Sequence, residues 1–246
     1  LNIIAEDLNN FDDYQRAFIS NISHDFRSPL TSIHGYAQAM LDGTIPYEAQ
    51  EKYLNIILSE TDRLTNLTSN LLELNSFNGD NVLLDITTFN ICETIVQTVN
   101  TLEGTAAKKE ISFVLDYNTQ KELLVEADES KIHQVLYNLI DNAIKFSHNN
   151  SEIKISLRKK GAKVFVSVKD SGIGIPKESL NKVFDRFYKT DISRGKDKRG
   201  TGLGLSISKE IIQAHNQTIN VVSTVDVGTE FVFTLKYHSK KQEASS

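Results

Sequence analysis

The sequence predicts two domains: an all-α antiparallel helical hairpin that dimerises into a four-helix bundle, followed by an α/β sandwich whose mixed sheet is covered by helices on one face. Three observations carry this prediction. Residues 1–77 show helical apolar spacing without strand-like alternation, residues 78–82 are short and polar, and strands interleave with helices from residue 83 onward. A chain of 246 residues is long enough for two cores.

In the first helix Leu8, Phe11, Phe18, Ile22, Phe26, Leu30 and Ile33 recur at threes, fours and sevens, which keeps one apolar stripe. Asp42-Gly43-Thr44-Ile45-Pro46 supplies a stop and a restart. The second helix is expected from Tyr47 to Phe77. There Ile57, Leu64 and Leu71 repeat every seventh residue, with Leu67 and Leu74 between them, the spacing of a coiled-coil seam. A lone hairpin of this length leaves much of its stripe in water, so pairing with a second copy is the simplest closure.

Beyond the hinge, Leu83–Phe89 reads as a strand, and Asn90 caps a helix running to Lys109. Ile111–Tyr117 and Leu123–Glu126 read as extended, and Asp128–Phe146 as a helix with Ile132, Val135, Leu136, Leu139, Ile140 and Ala143 on one face. Ile153–Leu157 and Val164–Val168 alternate around Lys159-Lys160-Gly161 as a hairpin. A glycine-rich stretch leads into a helix over Leu203–Ala214, and strands follow at Ile219–Ser223 and Phe231–Leu235. This domain is expected over 83–240, with a polar tail at 241–246. Strands interleaved with helices fit a sheet covered on one face.

Composition excludes several classes. With 39% hydrophobic and 24% charged residues the chain is neither fibrous nor wholly disordered. Cys92, the sole cysteine, excludes a disulfide framework and a cysteine-based zinc site. No apolar run approaches the roughly 20 residues that cross a bilayer, so the chain as given reads as soluble. A net charge of −5 argues against nucleic-acid binding. The charge is uneven, however: between Lys182 and Arg199 seven basic residues face three acids, a setting for an anion.

Six of the 12 glycines fall within residues 172–204. Asp170-Ser171-Gly172-Ile173-Gly174-Ile175-Pro176 ends a strand, and its glycines let a ligand approach the backbone while the carboxylate can accept from an exocyclic amine. A tight turn is the plain alternative. Gly200-Thr201-Gly202-Leu203-Gly204-Leu205 opens a helix, where bare N–H groups favour an anion. Neither cluster is a P-loop, since Thr201 stands where Lys should be, nor a Rossmann fingerprint, which follows the first strand of a βαβ unit. Asn138, Asn142 and Lys145 share one stripe of their helix; an amide carbonyl suits Mg²⁺, and a solvated face is the alternative. His24 and Ser28 lie one turn apart on the first helix. Pro29 crowds the carbonyl of Asp25, so the helix is expected to bend or loosen there. An imidazole near neutral pH is a nucleophile, and Asp25 can hold its tautomer or take up its proton. The other five histidines read as ordinary core or surface residues.

Together these segments resemble the catalytic core of a bacterial sensor histidine kinase. The resemblance rests on five boxes in order: Phe18–Leu30 around His24, Asn138–Ser147, Asp170–Pro176, Val183–Tyr188 and Gly200–Leu205. It implies a dimerisation and phosphotransfer domain over 1–77 and a Bergerat-type ATP-binding domain after the hinge. His24 would be the phosphoacceptor, with Asp25 and Ser28 serving a phosphatase activity; Ser28 stands where the family has Thr or Asn. Asp170 would receive the adenine amine, supported by Thr229 through water. Asn142 would ligate Mg²⁺, with Asn138 nearby and Lys145 near the phosphates. Gly172, Gly174, Gly200, Thr201, Gly202, Leu203 and Gly204 would line the nucleotide, under a lid from Ile175 to Thr201 held by Arg186, Tyr188 and Lys189.

The implied partners are a second copy and the receiver domain of a response regulator, with no nucleic acid. Residues 1–10 resemble the tail of a membrane-proximal signalling linker, and the chain lacks an initiator Met. The expectation is therefore an excised fragment from the cytoplasmic side of a membrane-anchored bacterial parent. A serine kinase or ATPase of the same nucleotide fold, or a degenerate scaffold, are the competing classes.

Overall fold

The structure is a computed structural model that describes residues 2–76, 83–117, 122–190 and 200–239, with side chains described from residue 19 onward. The chain divides into two compact units, Leu1–Glu73 and Leu74–Ser246. The expected hinge at 78–82, Gly195 and the tail at 241–246 lie outside the described residues.

The first unit is the expected helical hairpin. Helix α1 spans Asn2–Leu41 and α2 spans Gln50–Ser76, preceded by a 3₁₀ turn at Tyr47–Ala49. The connection is closed by the Thr44 N–H donating to the Asp42 carboxylate at 3.0 Å and by the Ile45 N–H reaching back to the Ala39 carbonyl at 2.9 Å. Pro46 then pre-sets the restart, which delays α2 by three residues relative to expectation. The helices run antiparallel: Tyr36 stacks at 5.1 Å on Tyr53, and Arg63 reaches Asp25 at 4.0 Å. Helix α1 continues through Pro29 without a break, and Pro29 itself is buried. Leu67 is buried as the seam requires, but Leu30, expected on the apolar stripe, is 53% exposed, because one hairpin covers only part of its apolar surface.

The second unit follows the order β1 Thr87–Asn90, α3 Ile91–Ala107, β2 Ser112–Asp116, β3 Leu124–Ala127, α4 Glu129–Phe146, β4 Glu152–Lys160, β5 Lys163–Lys169, α5 Gly204–Ala214, β6 Ile219–Thr224 and β7 Gly228–Tyr237. The sheet order is β1-β3-β7-β5-β4-β2, with β6 also paired to β7. Among the described residues only β2 and β4 pair in parallel, so the sheet is mixed as predicted. Period-two alternation sends Ile153, Ile155 and Leu157, then Val164, Val166 and Val168, then Phe231, Phe233 and Leu235 to one buried face. Against it lie the apolar sides of the helices, including Ile132, Leu136, Leu139 and Ile140 of α4 and Ile207 and Ile211 of α5, all fully buried.

Helix ends fall where side chains can cap them. Asn90 accepts from the Cys92 N–H, and Asp128 accepts from Lys131 N–H at 3.2 Å and from the Ser130 hydroxyl at 2.7 Å. Asp128 also takes the Asp85 N–H at 3.1 Å. That bond explains why the strand expected from Leu83 begins only at Thr87: the preceding backbone is turned to a helix cap instead of a neighbouring strand. Burial alone would raise the Asp128 carboxyl, but the bonds from Ser130, Lys131 and Asp85, with His215 nearby, hold it below the usual range.

Candidate functional site

Asp170 closes β5 and is 5% exposed. Its Oδ1 accepts from two backbone N–H groups, Gly172 at 2.9 Å and Thr229 at 3.1 Å, while Oδ2 has no partner among the described residues. Burial pushes its carboxyl up to about 6, against the opposing pull of the Thr229 and Gly172 N–H groups and of His148. The two strands are tied again by Asp170 N–H to the Thr229 carbonyl at 2.9 Å. This closeness needs glycine at two places. A Cβ on Gly172 would run into the Phe146 carbonyl, and Gly228 takes φ +138 with its missing Cβ aimed at the Asp170 carbonyl. Gly174 packs beside Thr224 in the same loop. What results is a desolvated carboxylate with one oxygen held and one open, suited to a single N–H donor of a ligand.

Helix α4 links this loop to the second glycine cluster. At its C-terminal end the Phe146 carbonyl accepts from Ile173 N–H at 3.2 Å. Two turns earlier Asn138 donates to the Gly204 carbonyl at 3.1 Å and faces Ser208 Oγ at 3.4 Å. The Asn138 amide N–H2 therefore joins α4 to the start of α5. Asn142 sits midway, half-buried, and its side chain makes no hydrogen bond among the described residues. Lys145 pairs with Asp141 at 2.8 Å, which directs its ammonium along α4. Among the described residues no group of three His, Cys, Asp or Glu could hold a metal. An unengaged amide oxygen flanked by two glycine loops does fit Mg²⁺, which binds through few protein oxygens and keeps waters and phosphates for the rest.

The expected lid is described only in part, because residues 191–199 lie outside the described set. Where it is described, Arg186 and Tyr188 have protein partners. Arg186 pairs with Glu210 of α5 at 3.2 Å, and the Tyr188 hydroxyl donates to Ser179 Oγ at 2.9 Å. Phe187 takes φ +61 and its N–H donates to the Gly202 carbonyl at 3.0 Å. Thr201 Oγ1 accepts from Leu203 N–H at 3.3 Å, forming the turn into α5. Lys189 and Gly200 are half-buried, and Leu203 is fully buried.

In the first unit the His24 side chain is 84% exposed, with Nδ1 facing Asp25 Oδ1 at 3.7 Å. Asp25 is 17% exposed and is steadied by Arg63. Ser28, one turn on, is exposed. The carboxylate stands on the Nδ1 side of the ring, which leaves Nε2 directed to solvent.

Comparison with known proteins matches both units. Residues 14–79 match the His Kinase A (phospho-acceptor) domain, and residues 127–239 match the histidine kinase-, DNA gyrase B-, and HSP90-like ATPase family. The chain belongs to the sensor histidine kinases. It is 35% identical over 94% of its length to the sensor histidine kinase WalK of Bacillus subtilis and over 90% to the sensor protein kinase WalK of Staphylococcus aureus, of which it spans 38% and 53%. Among solved structures, Acinetobacter baumannii histidine kinase AdeS superposes with a TM-score of 0.73 at 25% identity, covering 88% of this chain and 98% of that one. The histidine kinase ThkA in complex with the response regulator protein TrrA gives a TM-score of 0.73 at 32% identity, covering 92% of this chain and 63% of that one.

Two residues of this histidine kinase core escaped the sequence reading. Ser223 on β6 lies directly opposite Thr229 on β7 and bonds to it at 2.9 Å. Lys109 donates to the Ile144 and Lys145 carbonyls at 2.8 and 2.6 Å, capping the end of α4 that carries Phe146. The signal for Ser223 was the hairpin register; Lys109 gave none, because its partners are distant in sequence.

Proposed function

We propose that this chain is the ATP-dependent autophosphorylating core of its parent kinase. His24 takes the γ-phosphoryl group of ATP and passes it to an aspartate of a response-regulator receiver domain. The reading is carried by an accessible imidazole backed by the carboxylate of the next residue, in a chain that also holds the buried, half-engaged carboxylate of Asp170. Nε2 of His24 attacks phosphorus as the bond to the ADP oxygen breaks, and the proton left on Nδ1 faces Asp25. The product is a phosphoramidate, a high-energy donor to a carboxylate. Asp170 receives the adenine amine, Thr229 supports it, and the glycines of both loops admit the triphosphate. Asn142 would hold Mg²⁺ through its amide oxygen, which supplies neutralisation of the triphosphate charge. Lys145, Asn138, Arg186, Tyr188 and Lys189 belong to the rim around it.

The partner reading has two supports. The ThkA structure was determined with its response regulator TrrA. On the hairpin Ile19, Leu30, Leu54, Leu58 and Leu72 are 49 to 67% exposed, an apolar surface that a second copy would cover as a four-helix bundle. In this reading Asp25 and the Ser28 hydroxyl would orient a water for phosphatase action on the regulator. Among the described residues no helix is long and apolar enough to cross a membrane; the linker-like sequence of residues 1–10 supports reading the parent as membrane-anchored, with this part on the cytoplasmic side. Incubation with labelled ATP and Mg²⁺ tests the reading. Label that is acid-labile, alkali-stable and absent from His24→Gln supports it; acid-stable label points to a serine kinase and contradicts it.

A further inference from the structure

Ser223 on β6 has three hydrogen-bond partners. Its Oγ lies 2.8 Å from the Gly228 carbonyl, 2.8 Å from the Ile175 N–H and 2.9 Å from Thr229 Oγ1. A hydroxyl has one proton and two lone pairs, and the partners decide how they are used. The Gly228 carbonyl can only accept, so it takes the Ser223 proton. The Ile175 N–H can only donate, so it occupies one lone pair. One lone pair then remains for Thr229, and the bond between the hydroxyls must run from Thr229 to Ser223.

The Thr229 proton is thereby spent inside the protein, and its oxygen can only accept from anything else. Asp170 shows the same polarity: Oδ1 is filled by the Thr229 and Gly172 N–H groups, and Oδ2 is left as an acceptor. A ligand therefore meets acceptors from both residues and a donor from neither. An exocyclic amine satisfies such a site, whereas a carbonyl oxygen would set lone pair against lone pair. A bridging water leaves the polarity unchanged, since it must donate to Thr229 and turn its other proton toward the unprotonated N1 of a 6-amino purine.

We propose that Ser223 is a positioning residue that sets nucleobase preference, by locking the Thr229 hydroxyl as an acceptor and so favouring a 6-amino over a 6-oxo purine. The proposal rests on the reading of Asp170 as the base site. Without Ser223 the Thr229 hydroxyl is free to rotate and donate to a 6-oxo group.

The test is titration calorimetry of the full chain with ADP and with IDP, diphosphates that bind without turnover and differ at the 6 position. In wild type ADP binds more tightly. Ser223→Ala is expected to lower the ADP-over-IDP preference by about tenfold, one hydrogen bond's worth, and Ser223→Thr to keep it. Thr229→Val should lower the preference by itself, and adding Ser223→Ala to it should change nothing further. A purely structural role for Ser223 would weaken both diphosphates equally, and an unchanged ratio in Ser223→Ala overturns the proposal. If Ser223→Ala does not fold, an unchanged ratio in Thr229→Val overturns it instead. Failure of wild type to bind either diphosphate removes the base site itself, and is distinguished from the other outcomes by the absence of any binding signal.

Discussion

Asp170 is 5% exposed with one oxygen held by two backbone N–H groups, whereas His24 is 84% exposed and its nearest charged neighbour, Asp25, stands 3.7 Å away. Under the proposed function the two regions suit their roles for opposite reasons. A group that reads a base must be dry and fixed, because discrimination comes from leaving a wrong partner unpaired. A group that takes a phosphoryl from ATP and gives it to another protein must be reachable from outside. The carboxylate accordingly sits at the end of β5, an interior strand of the sheet, with glycines clearing space, and the imidazole is exposed on a helix.

Four experiments break or sharpen this contrast. The largest effect is expected from His24→Gln, which should abolish phosphoprotein formation while leaving ATP affinity unchanged; a fall in ATP affinity, measured by calorimetry, would blur the division of labour. Asn142→Asp comes next. It should reduce labelling by at least about a hundredfold while the oligomeric state, read by light scattering, stays that of wild type, since it puts a negative charge beside the triphosphate at an interaction worth several kcal/mol.

Asp170 gives the third test, through pH. Its carboxyl is held near 6 in the folded chain against 3.8 otherwise, so the folded state binds this proton more tightly between those values. Stability of the unliganded chain therefore gains from Asp170 as pH falls through that window, and the gain is absent above about 6. Nucleotide binding needs the carboxylate and should move the other way. ATP affinity is expected to weaken by up to about tenfold per unit below pH 6, beyond whatever weakening Asp170→Asn shows from the phosphates alone. Parallel profiles for the two proteins would contradict the assignment. The smallest effect belongs to a residue outside both regions: Asp128→Ala, which removes the cap of α4, should cost about 1 to 2 kcal/mol in chemical denaturation with little change in nucleotide selectivity.

The contrast also marks what could be read from sequence. Local features were legible: the α3 cap at Asn90, the β4–β5 turn at Gly161, the heptads of α2 and the glycine loops all depend on residues close together in the chain. The helix expected over Asp128–Phe146 and the observed α4 differ only by the capping residue. Tertiary partners were not legible. The resemblance puts Arg186 and Lys145 near phosphates, and it gave no sign of the ion pairs they make with Glu210 and Asp141. It puts Asn138 near the metal and gave no sign that its amide N–H2 holds α5. Leu30 follows the apolar period of α1 yet stays exposed, because periodicity reports a face without saying what covers it. Ser223 was invisible until β6 and β7 were in register, since a serine on a strand carries no signal of its own.

The central claim is that the ATP whose base Asp170 receives supplies the phosphoryl group that His24 takes. Peptide mapping after incubation with ATP and Mg²⁺, under conditions that preserve phosphoramidates, tests it most directly. The phosphoryl group is expected on His24 alone in wild type and nowhere in Asp170→Asn at ATP concentrations that saturate wild type. Phosphate on another residue, or undiminished phosphate on His24 in Asp170→Asn, would contradict it.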